Sequence, residues 1–260
     1  MSRIQNAFKK GKAFIAFITA GDPNLETTEK LVFEMEKSGA DIVELGIPFS
    51  DPIAEGVVIQ EANVRALASG VTVNKIFDMV KRIRAKSQIP LVFLTYINPV
   101  LKFGYDAFFK KCKEAGIDGI IIPDLPFEEH AEIPNRHGID LIPLVAPTSE
   151  DRIRKIAAAA EGYLYIVSSL GVTGIRSEIK TDLKSIIDIA RETAKVPIAV
   201  GFGINTPEQA AQISKIADGI IVGSAIVKII ANVGATPRGC PVGDCDYPVG
   251  EYIKKMKEAI

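Results

Sequence analysis

Two carboxylates eleven positions apart, Glu44 and Glu55, are the residues of this chain best suited to move a proton. Glu44 sits inside the apolar run Ile42–Ile47, which reads as a buried strand. In a parallel sheet covered on both faces, neither side-chain direction offers a carboxylate easy water. Burial without a partner is costly, and the usual escape is a raised pKa. Glu55 follows on the segment that leaves this strand. A strand-borne acid that holds its proton, beside a loop-borne acid, suits general acid–base catalysis. The plainer alternative pairs Glu44 with buried hydroxyls and leaves Glu55 solvated on its loop. Among further acids, Asp51 suits a turn as well as a function, Asp22 could cap the first helix or orient a loop, and Asp124 sits at the end of strand four near the active face.

Glycines supply a second chemistry. Leu170-Gly171-Val172-Thr173-Gly174, Gly201-Phe202-Gly203 and Val222-Gly223-Ser224-Ala225 each follow a late strand. Glycine lets backbone approach an anion, and amides at a helix start complement its charge. Ile226–Ala231 could supply such a short helix. Three glycine turns in this order predict a phosphate site on the loops after the late strands. Phe17, Ile59, Leu94, Tyr96, Tyr165 and Phe202 fall near strand ends or on the long loop. They could line a flat apolar pocket beside the phosphate, or simply be core.

Missing residue types narrow the reaction. The only histidines, His130 and His137, lie away from strand ends and read as surface residues, so a histidine base or metal site is not expected. No lysine lies in or at the end of a candidate strand, which argues against a Schiff base. Cys112, Cys240 and Cys245 are an odd number that fits a reducing compartment, and the last two read as ordinary thiols.

The elements that must position these groups alternate from end to end. Candidate strands are Phe14–Thr19, Asp41–Gly46, Leu91–Tyr96, Asp118–Pro123, Asp140–Ala146, Gly162–Ser168, Val196–Phe202 and Asp218–Gly223. Helix-like segments between them include Thr27–Ser38, Lys75–Lys86, Tyr105–Ala115, Ser149–Ala160, Leu183–Ala194 and Pro207–Ile216. Eight such units predict an α/β fold, a single (β/α)₈ TIM barrel over residues 1–260, with no linker to split it. Most strand-to-strand spacings are roughly 22–27 residues, near the minimum for a βα unit. The excess after strands two and six predicts extended loops on the face where barrels keep their chemistry. Length 260, 47% apolar residues and a net charge of −1 fit one such domain and give no reason to expect nucleic acid or a membrane surface. The N-terminus lacks a signal-peptide core, and a cytoplasmic location is expected.

Seven pieces of this chain together resemble the tryptophan synthase α subunit family: F-I-T-A-G-D-P (17–23), E-L-G-I-P-F-S-D-P (44–52), T-Y-I-N-P (95–99), P-D-L-P (123–126), G-V-T-G (171–174), G-F-G-I (201–204) and V-G-S-A-I-V-K (222–228). The resemblance covers nearly the whole chain, and the second piece is highly specific. It implies retro-aldol cleavage of indole-3-glycerol phosphate to indole and glyceraldehyde 3-phosphate. By resemblance, Glu44 is the general acid/base at indole C3, and the loop acid, staying ionised, accepts a hydrogen bond from the indole N–H. Phosphate would be held near Gly174, Gly203, Gly223 and Ser224. Phe17, Ile59, Leu94, Tyr96, Tyr165 and Phe202 would meet the indole and propyl portions, with Thr173 on a mobile closing loop. No cofactor or metal is implied in this chain. The implied partner is a β subunit carrying pyridoxal phosphate, in an α₂β₂ complex.

The family pattern A-D-G-P stands here as Ala54-Glu55-Gly56-Val57. Glutamate keeps the charge but moves the carboxylate by about an ångström, and a misplacement of that order can cost on the order of 100-fold in rate. Reduced lyase activity is therefore expected. An alternative is a catalytically weak homologue that mainly binds and activates the β subunit. A third reading, another phosphosugar barrel such as a phosphoribosyl isomerase, lacks the full motif set. The tract Ala235–Gly250 looks unlike the family's helical tail.

Overall fold

A computed structural model describes residues 2–133, 135–167, 183–201, 203–234 and 248–260. Its strands are β1 (Ala13–Thr19), β2 (Ile42–Gly46), β3 (Leu91–Leu94), β4 (Gly119–Ile121), β5 (Asp140–Leu141), β6 (Leu144–Val145), β7 (Leu164–Val167), β8 (Ile198–Gly201) and β9 (Gly219–Val222). All pairings are parallel, in the order β5-β4-β3-β2-β1-β9-β8-β7-β6. The expected fifth strand, Asp140–Ala146, is split into β5 and β6. Pro143 stands at the break and has no N–H to give a ladder. The Ile142 N–H donates to Ile120 O at 2.9 Å, and the Pro143 carbonyl accepts from the Tyr165 N–H at 3.1 Å. One broken strand thus joins both edges of the sheet, and the cylinder closes as a TIM barrel.

The helices are α1 (Arg3–Phe8), at the barrel floor, and, around the outside, α2 (Leu25–Lys37), α3 (Val57–Ala68), α4 (Val73–Arg84), α5 (Ile97–Phe103), α6 (Tyr105–Ala115), α7 (Glu150–Ala158), α8 (Leu183–Arg191), α9 (Pro207–Ser214), α10 (Ser224–Gly234) and α11 (Pro248–Glu258). Their punctuation is local chemistry. The Asn24 side chain caps α2 through the Thr27 N–H, and Thr206 with Gln209 forms a capping box ahead of Pro207 in α9. Gly116, at φ 89°, ends α6 in the left-handed region.

Side chains alternate along β1. Phe14, Ala16 and Ile18 pack against the helices, while Ala13 and Ile15 join Ile42, Val92, Ile121, Tyr163, Tyr165 and Ile221 inside the barrel. Helix α1 plugs the floor: Ile4 and Ala7 are buried there, and the Phe8 ring lies 5.9 Å from that of Tyr163. The long spacing after β2 is largely helical rather than loop, because α3 occupies it before α4 begins. The expected extension after strand six falls on residues 168–182, outside the described residues. So do Cys240 and Cys245. Of the tract Ala235–Gly250, residues 235–247 also lie outside the described residues, and α11 begins at Pro248.

Candidate active site

Glu44 is the central residue of β2, in register with Phe17 of β1 and Val92 of β3, and its side chain enters the barrel. It is 1% exposed. Its one hydrogen-bond donor among the described residues is the Tyr163 hydroxyl, 2.5 Å from Oε1. Burial pushes the carboxyl up to about 7, and the Tyr163 hydrogen bond offsets only part of that rise. The same burial, with Glu44 nearby, holds the Tyr163 and Tyr165 hydroxyls well above the ordinary tyrosine range, so both keep their protons.

Glu55 stands just before α3, whose first residue is Val57. Its carboxylate accepts from Asn63 Nδ2 at 2.5 Å, and its backbone carbonyl accepts from Gln60 Nε2 at 2.7 Å. It is 7% exposed, not solvated. Burial raises it too, to about 7, with Asn63 pulling the other way. An acid expected to stay ionised is therefore raised to about neutrality, because burial removes its water. Tyr96 anchors the segment that carries Glu55: its hydroxyl accepts from the Ala54 N–H at 3.0 Å, and its ring lies 5.5 Å from Phe49.

A cavity of about 520 Å³ brings these groups together. Phe17, Glu44, Glu55, Ile59, Leu94, Tyr96 and Tyr165 form one part of its wall, and Gly203, Gly223 and Ser224 another. Ser224 opens α10, so the free N–H groups of a helix start lie on that wall, as the phosphate reading requires. This helix is longer than the Ile226–Ala231 segment expected. A Cβ at Gly223 would meet the Phe17 ring at 3.1 Å, which explains the glycine. Thr173, Gly174 and Phe202 lie outside the described residues.

Other acids have structural tasks. Asp22 accepts both Nε and Nη2 of Arg65, at 2.8 and 2.7 Å, and does not cap α2. Asp124 accepts from the Ile97 N–H at 2.8 Å, and the Ser50 hydroxyl donates to the exposed Asp51. His130 departs from the surface reading: it is half-buried, lines the cavity, and burial lowers its pKa. His137 pairs with Asp106 far from the cavity.

Tyr163 and Asn63 are the functional neighbours not anticipated. Tyr163 had a signal, since strand alternation places it on the face shared with Tyr165. Asn63 had none until α3 was recognised, because that helix exposes Val57 and Val64 and starts without a side-chain cap. Among the described residues there is no cluster able to hold a metal ion, and no helix is long and apolar enough to cross a membrane.

Residues 4–242 match the family model described as tryptophan synthase alpha chain. The tryptophan synthase alpha chain of Lacticaseibacillus casei is 52% identical over 89% of this chain and 88% of its own. That of Geobacter sulfurreducens is 47% identical over 100% of this chain and 99% of its own. Among solved structures, the alpha subunit from Legionella pneumophila superposes with a TM-score of 0.87 at 39% identity, covering 100% of this chain and 98% of that one. A chain of the tryptophan synthase complex from Pyrococcus furiosus superposes at 0.80 with 35% identity, covering 96% of this chain and 98% of that one.

Proposed function

The chain belongs to the tryptophan synthase alpha chain family, and from that membership we propose that Glu44 and Glu55 carry the family's reaction here. That reaction cleaves indole-3-glycerol phosphate to indole and glyceraldehyde 3-phosphate in tryptophan biosynthesis. The alpha chain needs no cofactor of its own; pyridoxal phosphate belongs to the β subunit with which it forms a complex.

Protonated Glu44 delivers its proton to indole C3, which turns the ring into an iminium-like electrophile. The same carboxylate then takes the proton from the hydroxyl on the adjoining side-chain carbon. That carbon becomes the aldehyde, the carbon–carbon bond breaks, and its electrons restore the aromatic ring. Ionised Glu55 accepts a hydrogen bond from the indole N–H and stabilises the positive charge that develops there. Gly203, Gly223 and Ser224, with Gly174, hold the phosphate at the start of α10. Phe17, Ile59, Leu94, Tyr96 and Tyr165 meet the indole and propyl portions, and the family pattern assigns Phe202 and Thr173 to the same pocket. A single domain, residues 1–260, does this in the cytoplasm.

The observation that carries the assignment is Glu44: a fully buried carboxyl, raised to about 7, aimed into a cavity with a second acid on its wall. Indole release from indole-3-glycerol phosphate by the isolated chain tests it. Glu44→Gln should lower turnover by about 100-fold or more. Wild-type turnover in that variant would overturn the assignment.

The extra methylene of Glu55 lowers the rate relative to an aspartate at this place. Glu55→Asp should then raise turnover, and an unchanged or lower rate would count against the penalty. If the isolated wild type releases no indole while still activating a β subunit, the protein acts as a binding partner instead. The docking face runs along the segment after β2 and α5, where Ile53, Val57 and Leu101 are exposed.

A further inference from the structure

Glu55 meets the structure through α3, and α3 is held at two points. Asn63 donates from this helix to the Glu55 carboxylate at 2.5 Å and is itself only 4% exposed. It lies one turn beyond Ile59, which lines the cavity, and it reaches Glu55 from behind without lining the cavity itself. Half a turn further on, Arg65 clamps the helix to Asp22 at the end of β1, through two hydrogen bonds of 2.8 and 2.7 Å. Asp22 is buried, which makes this clamp an anchor rather than a surface pair.

We propose that Asn63 is a positioning residue for Glu55: its amide fixes the carboxylate on the cavity wall in the ionised form and so sets the acidic limb of the rate profile. The proposal rests on the role assigned to Glu55 above. A neutral donor suits the task. A lysine or arginine would keep the acid ionised at every working pH, whereas an apolar residue would leave burial unopposed. Among the described residues, other charged groups are poorly placed to take over. Glu44 lies across the cavity and Tyr96 on the neighbouring segment, with Asp124 beyond it. On α3, Arg65 is committed to Asp22, and Glu61 is exposed. Helix α10, which packs on α3, brings only the exposed Lys228, and β1 brings no charge.

The test is kcat/KM for indole-3-glycerol phosphate cleavage from about pH 5 to about pH 9. Asn63→Leu removes the donor at similar volume. Its acidic limb should move up by about one pH unit, a roughly tenfold loss at low pH that disappears near the alkaline end. The alkaline limb, which belongs to Glu44, should stay in place. Asn63→Asp is closer in shape and sets a second carboxylate beside the first, so it should move the limb in the same direction; it decides the matter if Asn63→Leu fails to fold by circular dichroism. A limb that stays put in the folded variant, with activity lowered equally at all pH, would overturn the role of Asn63. Full turnover in Glu44→Gln and Glu55→Gln would instead overturn the site assignment beneath it.

Discussion

The two rims of this barrel use the same residue types to opposite ends. At the floor, acids just before the strands are saturated with donors. Asp118 accepts from Arg3, Arg84 and the Leu91 N–H, at 2.7, 2.8 and 2.9 Å. Asp41 accepts from Lys257 and the Phe14 N–H, Asp218 from Arg191 and the Ile198 N–H, and Glu161 from Arg136 and the Leu141 N–H. Each ties the N–H of a neighbouring strand to a basic side chain. At the mouth, Glu44 and Glu55 receive one neutral side-chain donor each and no cation among the described residues. Floor acids are committed to strand N–H groups and basic side chains and brace the sheet, while burial keeps the mouth acids at the edge of ionisation, which proton transfer requires.

The largest expected effect separates activity from stability. Glu44→Gln should cut indole release by about 100- to 10,000-fold. The Tyr163 hydroxyl can still donate to the glutamine carbonyl, so the fold should not suffer. Matched melting curves and turnover rates check both halves. A variant that loses activity because it has unfolded would erase the contrast between the rims.

Asp118 should behave in the reverse sense. Both it and Arg84 are buried, with side chains 8% and 10% exposed. Asp118→Ala would leave the Arg84 charge, already pushed down to about 10 by burial, with carbonyl partners but no counter-ion there, and the Leu91 N–H without its acceptor. A loss of about 3–5 kcal/mol is expected on breaking such a pair. Turnover per folded molecule, measured after correcting for the folded fraction, should change less than twofold.

Stability should also depend on pH because of the mouth. Glu44 is raised in the folded state from 4.5 to about 7, so the folded chain binds more protons than the unfolded chain within that window. Its cost is absent below the unfolded value, grows as pH rises, and is complete above the folded value. At one pH unit to 1.36 kcal/mol this approaches about 3 kcal/mol. Glu55 adds to the loss over the same window. Denaturant midpoints should therefore fall for the wild type between about pH 5 and pH 8, and fall less for Glu44→Gln. Parallel curves for the two proteins would refute the cost assigned to this carboxyl.

How far these rims could be read from sequence depends on the range of the interactions that build them. Alternation of apolar runs with amphipathic stretches located every strand, and an acid inside one run marked Glu44. The break at Pro143 was hidden, since its meaning depends on which neighbours pair with each half. Helix α3 escaped because its exposed face is as apolar as its buried one, and with it went Asn63. The Tyr163 contact joins positions 119 residues apart, a matter of barrel closure rather than local pattern. The joints before the strands were visible as recurring small residues and acids, but their shared task of accepting a strand N–H needs coordinates.

The smallest expected effect grades the floor itself. Asp218 makes the same kinds of contact as Asp118 with one basic partner fewer, to Arg191 and the Ile198 N–H, both at 2.9 Å. Its side chain is 30% exposed and that of Arg191 43%, so water already screens the charge. In Asp218→Asn the amide oxygen can keep the strand N–H while the ion pair is lost. Exposed pairs of this kind are worth about 0–1 kcal/mol. Chemical denaturation should then place Asp218→Asn within about 1 kcal/mol of wild type, and the deficit should shrink as salt is added. A loss as large as that of Asp118→Ala would mean that charge, rather than burial and the strand hydrogen bond, makes the floor acids structural.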